Sequence, residues 1–310
     1  ELTSLKKSYK AFVRRRINSH TVAANQAQII RLAQSKNVVF LQPTPPVRCG
    51  GTVDRYYHFI FDLVLPLYCL RRRVSSEVTF LVEAPGGFTE RLFKIFPQGI
   101  EAVDLGDTIS TLDTVPLIGM NPKGVGLSER LLDTFREDIC RYLNVDSGGD
   151  TNKILLIERL PPDEYFFTKA KVQGGGAAWR SLKNHAEVCS TLESMVQAPF
   201  EFHNLQLEKM SFEDQIDYFG RARVVIAQHG AGLTNCLWMR RNADVVELNH
   251  GDTNNDHYRV ICRRRQLGYA RYGTDSSHAT IDIKQLTDWL LQRPSLAQYF
   301  RTPKAVSLKC

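Results

Sequence analysis

Short apolar runs recur along this chain, each followed by a longer stretch with helical spacing, and that alternation limits the fold more than any other feature. The runs Asn37–Leu41, Val78–Val82, Ala102–Leu105, Lys153–Ile157, Ala222–Ala227 and Asp244–Leu248 read as strands. Tyr56–Arg73, Thr89–Phe96, Ser128–Leu143, His185–Met195, Glu213–Gly220, Leu233–Met239 and Asp282–Leu291 read as helices. Strands alternating with helices predict an α/β fold built on parallel sheet. A length of 310 residues suggests about two domains. The polar, Gly-rich stretch Asn144–Thr151 is the best linker, which places one domain at 1–150 and a second at 151–310. Two such halves form a cleft, where ligands tend to bind.

A net charge of +7 and a pI of about 9.0 favour anionic partners. Nucleic acid is the weakest of these, because the basic residues are spread out, aromatics do not interleave with them and no recognition motif occurs. The lead-in 1–36 concentrates Lys6, Lys7, Lys10, Arg14, Arg15 and Arg16, a pattern shared by solvated helices and by helices lying on an anionic membrane. The seven cysteines include no Cys-x-x-Cys pair and are odd in number, which argues against a zinc ribbon and against a complete disulfide framework. No apolar stretch approaches the roughly 20 residues of a membrane span. With no sequon and no visible signal peptide, the reading favours a cytoplasmic or membrane-peripheral setting. The chain opens on Glu1 rather than Met, so a lumenal setting with an upstream anchor is the alternative.

The segment Arg223–Asn235 runs strand, Gly-rich turn, helix. Its turn, His229-Gly230-Ala231-Gly232-Leu233-Thr234-Asn235, lets backbone approach a ligand and aims the N–H groups of a helix start at an anion. His229 adds a donor or positive charge at a diphosphate. The turn lacks the third glycine of a dinucleotide fingerprint and the Gly-Lys-Ser/Thr of a P-loop. Glu247, at the end of the next apolar strand, suits hydrogen bonding to ribose hydroxyls.

Taken together, Ala222–Asn235, Leu237-Trp238-Met239 and Val245-Val246-Glu247-Leu248 resemble the family 61 glycosyltransferases. Leu155-Leu156-Ile157-Glu158-Arg159, Arg180-Ser181-Leu182-Lys183-Asn184, Ser211–Ile216, His257-Tyr258 and Leu267-Gly268-Tyr269 are similar to that family in the same order. The family includes plant xylan xylosyl- and arabinosyltransferases, animal O-linked N-acetylglucosaminyltransferases and bacterial capsule enzymes. The chain departs from the pattern at Glu158, where a small hydroxyl residue is expected, and in the glycine triplet Gly174–Gly176. The resemblance implies a GT-B fold of two Rossmann-like domains, with the acceptor on the first and a nucleotide-sugar, expected to be UDP-linked, on the second. It also implies transfer with inversion and no cofactor.

No Asp-x-Asp occurs, so cationic and backbone donors are expected to neutralise the leaving diphosphate without a metal. Arg159 is the first choice and Arg180 the second. An inverting transfer also needs a base for the acceptor hydroxyl. His58 and Asp62, four residues apart on the first-domain helix, share one face. Asp62 is the expected base, with His58 orienting or relaying, and His250, Asp256 and His257 are the reserve candidates. The competing functions are a nucleotide- or glycan-binding module without catalysis and a GT-B nucleotide-sugar epimerase.

Overall fold

The computed structural model describes residues 38–43, 56–74, 76–83, 88–103, 117–120, 127–146, 149–161, 167–168, 171–172, 176–251 and 256–303. The basic lead-in and the first two glycines of the triplet lie outside these residues, as do Cys49-Gly50-Gly51 and Ala84–Gly87, which the sequence reads as turns. The chain divides into two compact units, Glu1–Leu127 and Ser128–Cys310.

In the first unit, β1 (Val38–Pro43), β2 (Thr79–Glu83), β3 (Ile100–Val103) and β4 (Leu117–Met120) form a parallel sheet in the order β3-β2-β1-β4. β1 runs through Pro43, two residues past the Asn37–Leu41 run read from the sequence. Helix α1 joins β1 to β2 in three stretches: Tyr56–His58, a π-helical turn at Phe59–Val64, and Leu65–Arg71. Pro66 has no N–H and its ring crowds the carbonyl four residues back, so it falls where the widened turn already interrupts the regular ladder. Phe59, Ile60, Leu63, Val64, Leu65 and Leu67 are fully buried and make this helix the centre of the unit's core. Helix α2 (Thr89–Ile95) leads from β2 to β3 and buries Leu92 and Ile95.

The second unit opens with α3 (Glu129–Tyr142), whose N-cap Ser128 accepts a hydrogen bond from the Leu131 N–H at 3.2 Å. The helix belongs to this unit by its contacts. Arg136 Nε donates to the Trp238 carbonyl at 2.7 Å, and Asp133 pairs with Arg241 and Arg265. The Asn144–Thr151 stretch therefore lies inside the second unit and leads from α3 into its sheet.

That sheet holds β5 (Lys153–Glu158), β6 (Glu201–Gln206), β7 (Ala222–Gln228), β8 (Asp244–Asn249) and β9 (Gly268–Gly273), all parallel, in the order β9-β8-β7-β5-β6. The crossovers carry α4 (His185–Met195), α5 (Phe212–Gly220) and α6 (His257–Arg264), and α7 (Ile283–Leu291) follows β9. β5, β7 and β8 are the inner strands, and their runs Ile154–Leu156, Val224–Ile226 and Val245–Val246 are fully buried. An uninterrupted apolar run with helices covering both faces is what a central parallel strand requires. Among the described residues no helix is long and apolar enough to cross a membrane.

Candidate functional site

In a sheet of this order the chain leaves β5 toward the edge strand β6 and returns to β7, so the connections after β5 and β7 run in opposite directions. The crevice outside the carboxyl ends of two such strands is where open α/β sheets hold ligands. Arg159 directly follows β5, and His229-Gly230 directly follow β7. The two meet, with Arg159 Nη1 donating to the His229 carbonyl at 3.4 Å. The guanidinium also occupies the space that a Cβ on Gly230 would need, so any side chain at this position would displace the Arg159 head group.

Around this contact the positive groups gather. Arg180 Nε donates to His250 Nε2 at 3.4 Å. Burial, and then the neighbouring charge of Arg180, lower the pKa of Arg159, while Glu208 and Tyr258 act the other way. Burial likewise lowers Arg180, against the opposing influence of Tyr258 and Glu247. Arginine stays charged through shifts of this kind. Two half-buried guanidiniums, with the charge of Arg180 acting against that of Arg159, can together stabilise an anion.

His229 is 6% exposed and held on several sides. Its N–H donates to the Leu248 carbonyl at 2.9 Å, its ring meets Tyr258 edge-on at 5.2 Å between centroids, and its Nδ1 lies 2.5 Å from Glu247 Oε1. The nitrogen left facing away from Glu247 is Nε2. Glu247 is fully buried, and its carboxylate also accepts hydrogen bonds from Asn249 Nδ2 at 2.9 Å and from the Tyr269 hydroxyl. Burial alone would push Glu247 up, but the bonds from His229 and Tyr269 and the charges of His229 and Arg271 hold it below the usual carboxylate range. Burial, and then the bond to Glu247, raise the Tyr269 phenol. The structure thus presents Glu247 as the group that fixes His229, with no accessible surface offered to a ribose.

Beyond Gly230 the turn is not an α-helix, as the spacing predicts, but a 3-10 segment, Ala231–Trp238, in which the Leu233 N–H bonds to the Gly230 carbonyl at 3.0 Å. The first N–H groups, those of Ala231 and Gly232, have no acceptor within the segment. The side chains of Leu233, Thr234 and Asn235 point into the core. Asn235 is tied there, giving a hydrogen bond to Gln215 Oε1 and accepting one from Trp238 Nε1, both at 3.1 Å. A Cβ on Gly232 would meet Leu207 at 3.0 Å, so this glycine serves packing. From this turn, then, the groups offered to a ligand are backbone N–H groups and the His229 ring.

The unexpected Glu158 has an explanation at the sheet edge. Its Oε2 accepts hydrogen bonds from Asn204 at 3.0 Å and Gln206 at 2.8 Å on β6, which directs its charge away from the Arg159 side of the strand end. Asp256 pairs with Arg259 at 2.5 Å and with Arg271 at 3.5 Å. His257 opens α6, next to the buried Tyr258. Asn249 and Arg271 are neighbours of the site that sequence reasoning did not single out, and Tyr258 and Tyr269 entered it only through the family resemblance. The signal available was register: Glu247 stands opposite Arg271 in the β8–β9 ladder, and Tyr269, two residues away, shares that face.

In the first unit the structure brings His58 and Asp62 into direct contact, with Nδ1 2.5 Å from Oδ2. Asp62 lies in the π-helical turn and is 8% exposed. Burial and the Asp62 charge push the Tyr57 phenol up to about 12, and the Tyr57 ring packs edge-on against His58. Among the described residues no three His, Cys, Asp or Glu side chains cluster as a metal site.

The glycosyltransferase 61 family model matches residues 56–246. A β-1,2-xylosyltransferase from Arabidopsis thaliana is 26% identical over 152 residues, which cover 46% of this chain and 27% of the plant protein. The chain thus matches about a quarter of that relative's length. The family match takes in the His58–Asp62 pair, Arg159, Arg180 and His229 and ends one residue before Glu247, and the chain belongs to the glycosyltransferase 61 family.

Proposed function

We propose that this chain is an inverting, metal-independent glycosyltransferase of GT-B type. In this reading it moves a sugar from a UDP-linked donor to a hydroxyl of a glycan or glycoconjugate. The observation that carries the reading is the convergence of Arg159, Arg180 and His229 at the switch point of the five-stranded sheet, where a diphosphate has cationic and N–H partners without a divalent ion. The name of the plant relative makes xylose a first donor to test.

Each group has a role in this scheme. Arg159 and Arg180 neutralise the charge that grows on the diphosphate as the glycosidic bond breaks. His229, fixed through Nδ1 by Glu247 and carrying protons on both ring nitrogens in this scheme, donates its Nε2–H to a phosphate oxygen. In the first unit, Asp62 holds the His58 ring through Nδ1, which leaves Nε2 to take the acceptor's proton. This exchanges the roles expected from sequence, because a carboxylate bonded to Nδ1 sets the tautomer that makes Nε2 basic.

A panel of nucleotide-sugars in a thermal-shift experiment, each with and without a divalent ion, tests the donor assignment. The expected outcome is a rise in melting temperature with UDP-linked sugars that is the same in EDTA. With an acceptor present, nuclear magnetic resonance of the product should show the anomeric configuration inverted. Donor binding with no transfer to any acceptor would favour a binding module, and conversion of the donor sugar without transfer would favour an epimerase.

A further inference from the structure

Glu158 departs from the family pattern, and the side chains it fixes line a groove that the chemistry above leaves unused. Its Oε2 accepts from Asn204 Nδ2 at 3.0 Å and from Gln206 Nε2 at 2.8 Å. Burial pushes the Glu158 carboxyl up, but those two bonds and the charges of His185 and Lys209 hold it below the usual carboxylate range. An ionised carboxylate only accepts, so each amide has to turn an N–H toward it. Asn204 Oδ1 is left to meet His185 Nε2, at 3.0 Å. Glu158 thus sets the orientation of two planar amides on the edge strand β6.

Those amides lie along a groove of about 480 Å³ between β6 and α5, inside the ~300–1,000 Å³ range of small-molecule sites. Lys209, Met210, Asp214 and Tyr218 also line it. These walls are braced. Gln215 Nε2 donates to the Leu207 carbonyl at 2.8 Å, which ties α5 to the 3-10 turn Leu207–Lys209. His203, edge-on at 5.4 Å, and the Lys153 ammonium, 5.1 Å from the centroid, steady the Tyr218 ring. Ser211 Oγ holds Asp214 at 2.6 Å.

Two amides, a carboxylate, an ammonium and a phenol supply both donors and acceptors, and the charges of Lys209 and Asp214 oppose each other. Met210 adds apolar surface. That combination suits an uncharged ligand with many hydroxyls and small apolar faces, which is the chemistry of a sugar unit. Its place in the sheet agrees. Gln206 stands opposite Glu158, the residue before Arg159, so the groove opens one strand spacing, ~4.8 Å, from the strand that leads to Arg159.

We infer that this groove is a carbohydrate subsite, holding a sugar unit of a neutral glycan other than the unit that receives the transferred sugar. The inference rests on the glycosyltransferase reading above and adds a hold on the acceptor chain. A glycan whose hydroxyl reaches a donor on Arg159 passes close to β6, and Glu158 acts as a positioning residue for the amides it meets there.

Nuclear magnetic resonance titration with short oligosaccharides of xylose, mannose and glucose, beside calorimetry with UDP, tests this. The parent should bind at least one of these oligosaccharides. A Gln206→Ala, Lys209→Ala double variant should weaken that binding roughly 5- to 100-fold, the worth of two hydrogen bonds, with UDP affinity and melting temperature unchanged. Met210→Trp, which fills the groove and removes no hydrogen bond, should also weaken it. Glu158→Ala should lose part of the oligosaccharide affinity, and Glu158→Gln, which keeps an acceptor oxygen, should restore most of it. A parent that binds UDP and none of the oligosaccharides overturns the inference and leaves the donor site standing. Equal oligosaccharide affinity in the parent, the double variant and Met210→Trp also overturns it, since the sugar would sit elsewhere. Equal losses for oligosaccharide and UDP do the same, because the groove would then act on the donor site. Oligosaccharide binding that depends on the groove, in a parent that binds no UDP, would overturn the donor-site reading and leave the subsite.

Discussion

Arg159→Ala is expected to lower kcat by roughly 10²–10³-fold, the usual effect of removing one fixed donor from a site of developing charge. UDP affinity should fall much less. In the proposed donor complex the diphosphate shares its charge among Arg159, Arg180, His229 and the N–H groups of Ala231 and Gly232, so one loss is partly covered by the rest. In the transition state the leaving oxygen gains charge, and a group aimed at that oxygen matters more there than in the bound donor. Arg159→Lys is the informative control. It keeps the charge but loses the planar fork that reaches both a ligand and the His229 carbonyl, so it should recover only part of the rate. Steady-state kinetics alongside melting temperatures check this, and a parental kcat in a well-folded Arg159→Ala protein would make the arginine structural.

The second large effect belongs to the first unit. His58→Ala should reduce turnover by roughly 10²–10⁴-fold, the range for a positioned proton transfer. Asp62→Asn removes the carboxylate from the 2.5 Å contact with Nδ1 but keeps size and shape, and it should cost a comparable factor by releasing the ring from its tautomer. Nucleotide affinity should hold in both variants, because the donor groups belong to the second unit. The two roles separate in the pH profile. If His58 is the base, Asp62→Asn retains some activity and shifts the acidic limb. If Asp62 is the base, Asp62→Asn is inert while His58→Ala keeps measurable turnover. Normal rates in both would move the base elsewhere, with His250, Asp256 and His257 next to test.

The parts of this fold legible in the sequence are those where burial is two-sided or an end is capped. β5, β7 and β8 stand out as apolar runs because neighbours cover them on both faces and both edges. The ends of α3 follow from Ser128 and from apolar positions at helical spacing. The strands that escaped notice in the second unit, β6 and β9, are the two edges of its sheet. Glu-Phe-His-Asn-Leu-Gln and Gly-Tyr-Ala-Arg-Tyr-Gly carry polar residues because an edge strand is half in water, so neither shows an apolar run. β4 is also an edge strand, and Gly119 interrupts it.

The site divides in a similar way. The turn that follows β7 and the contact of His58 with Asp62 could be read because each is a local pattern. The π-helical turn at Phe59–Val64 could not, since its apolar residues fit an α-helical pattern equally well. Nor does a linear pattern say that Asn235 turns inward to Gln215 and Trp238, or that Glu247 is enclosed by His229, Asn249 and Tyr269. Those partners are 18 to 22 residues away for His229, Tyr269 and Gln215, and only the ladder between neighbouring strands and the packing of α5 bring them together.

Calorimetric titration of UDP into the protein in EDTA, beside the same titration into an Arg159→Ala, Arg180→Ala double variant, bears most directly on the proposal that the carboxyl edge of the second unit's sheet is a metal-free diphosphate site. The account predicts one-to-one binding by the parent in EDTA, unchanged when a divalent ion is restored, and loss of most of that affinity in a folded double variant. Binding by the parent only when the metal is present, or equal binding by parent and double variant, would contradict it.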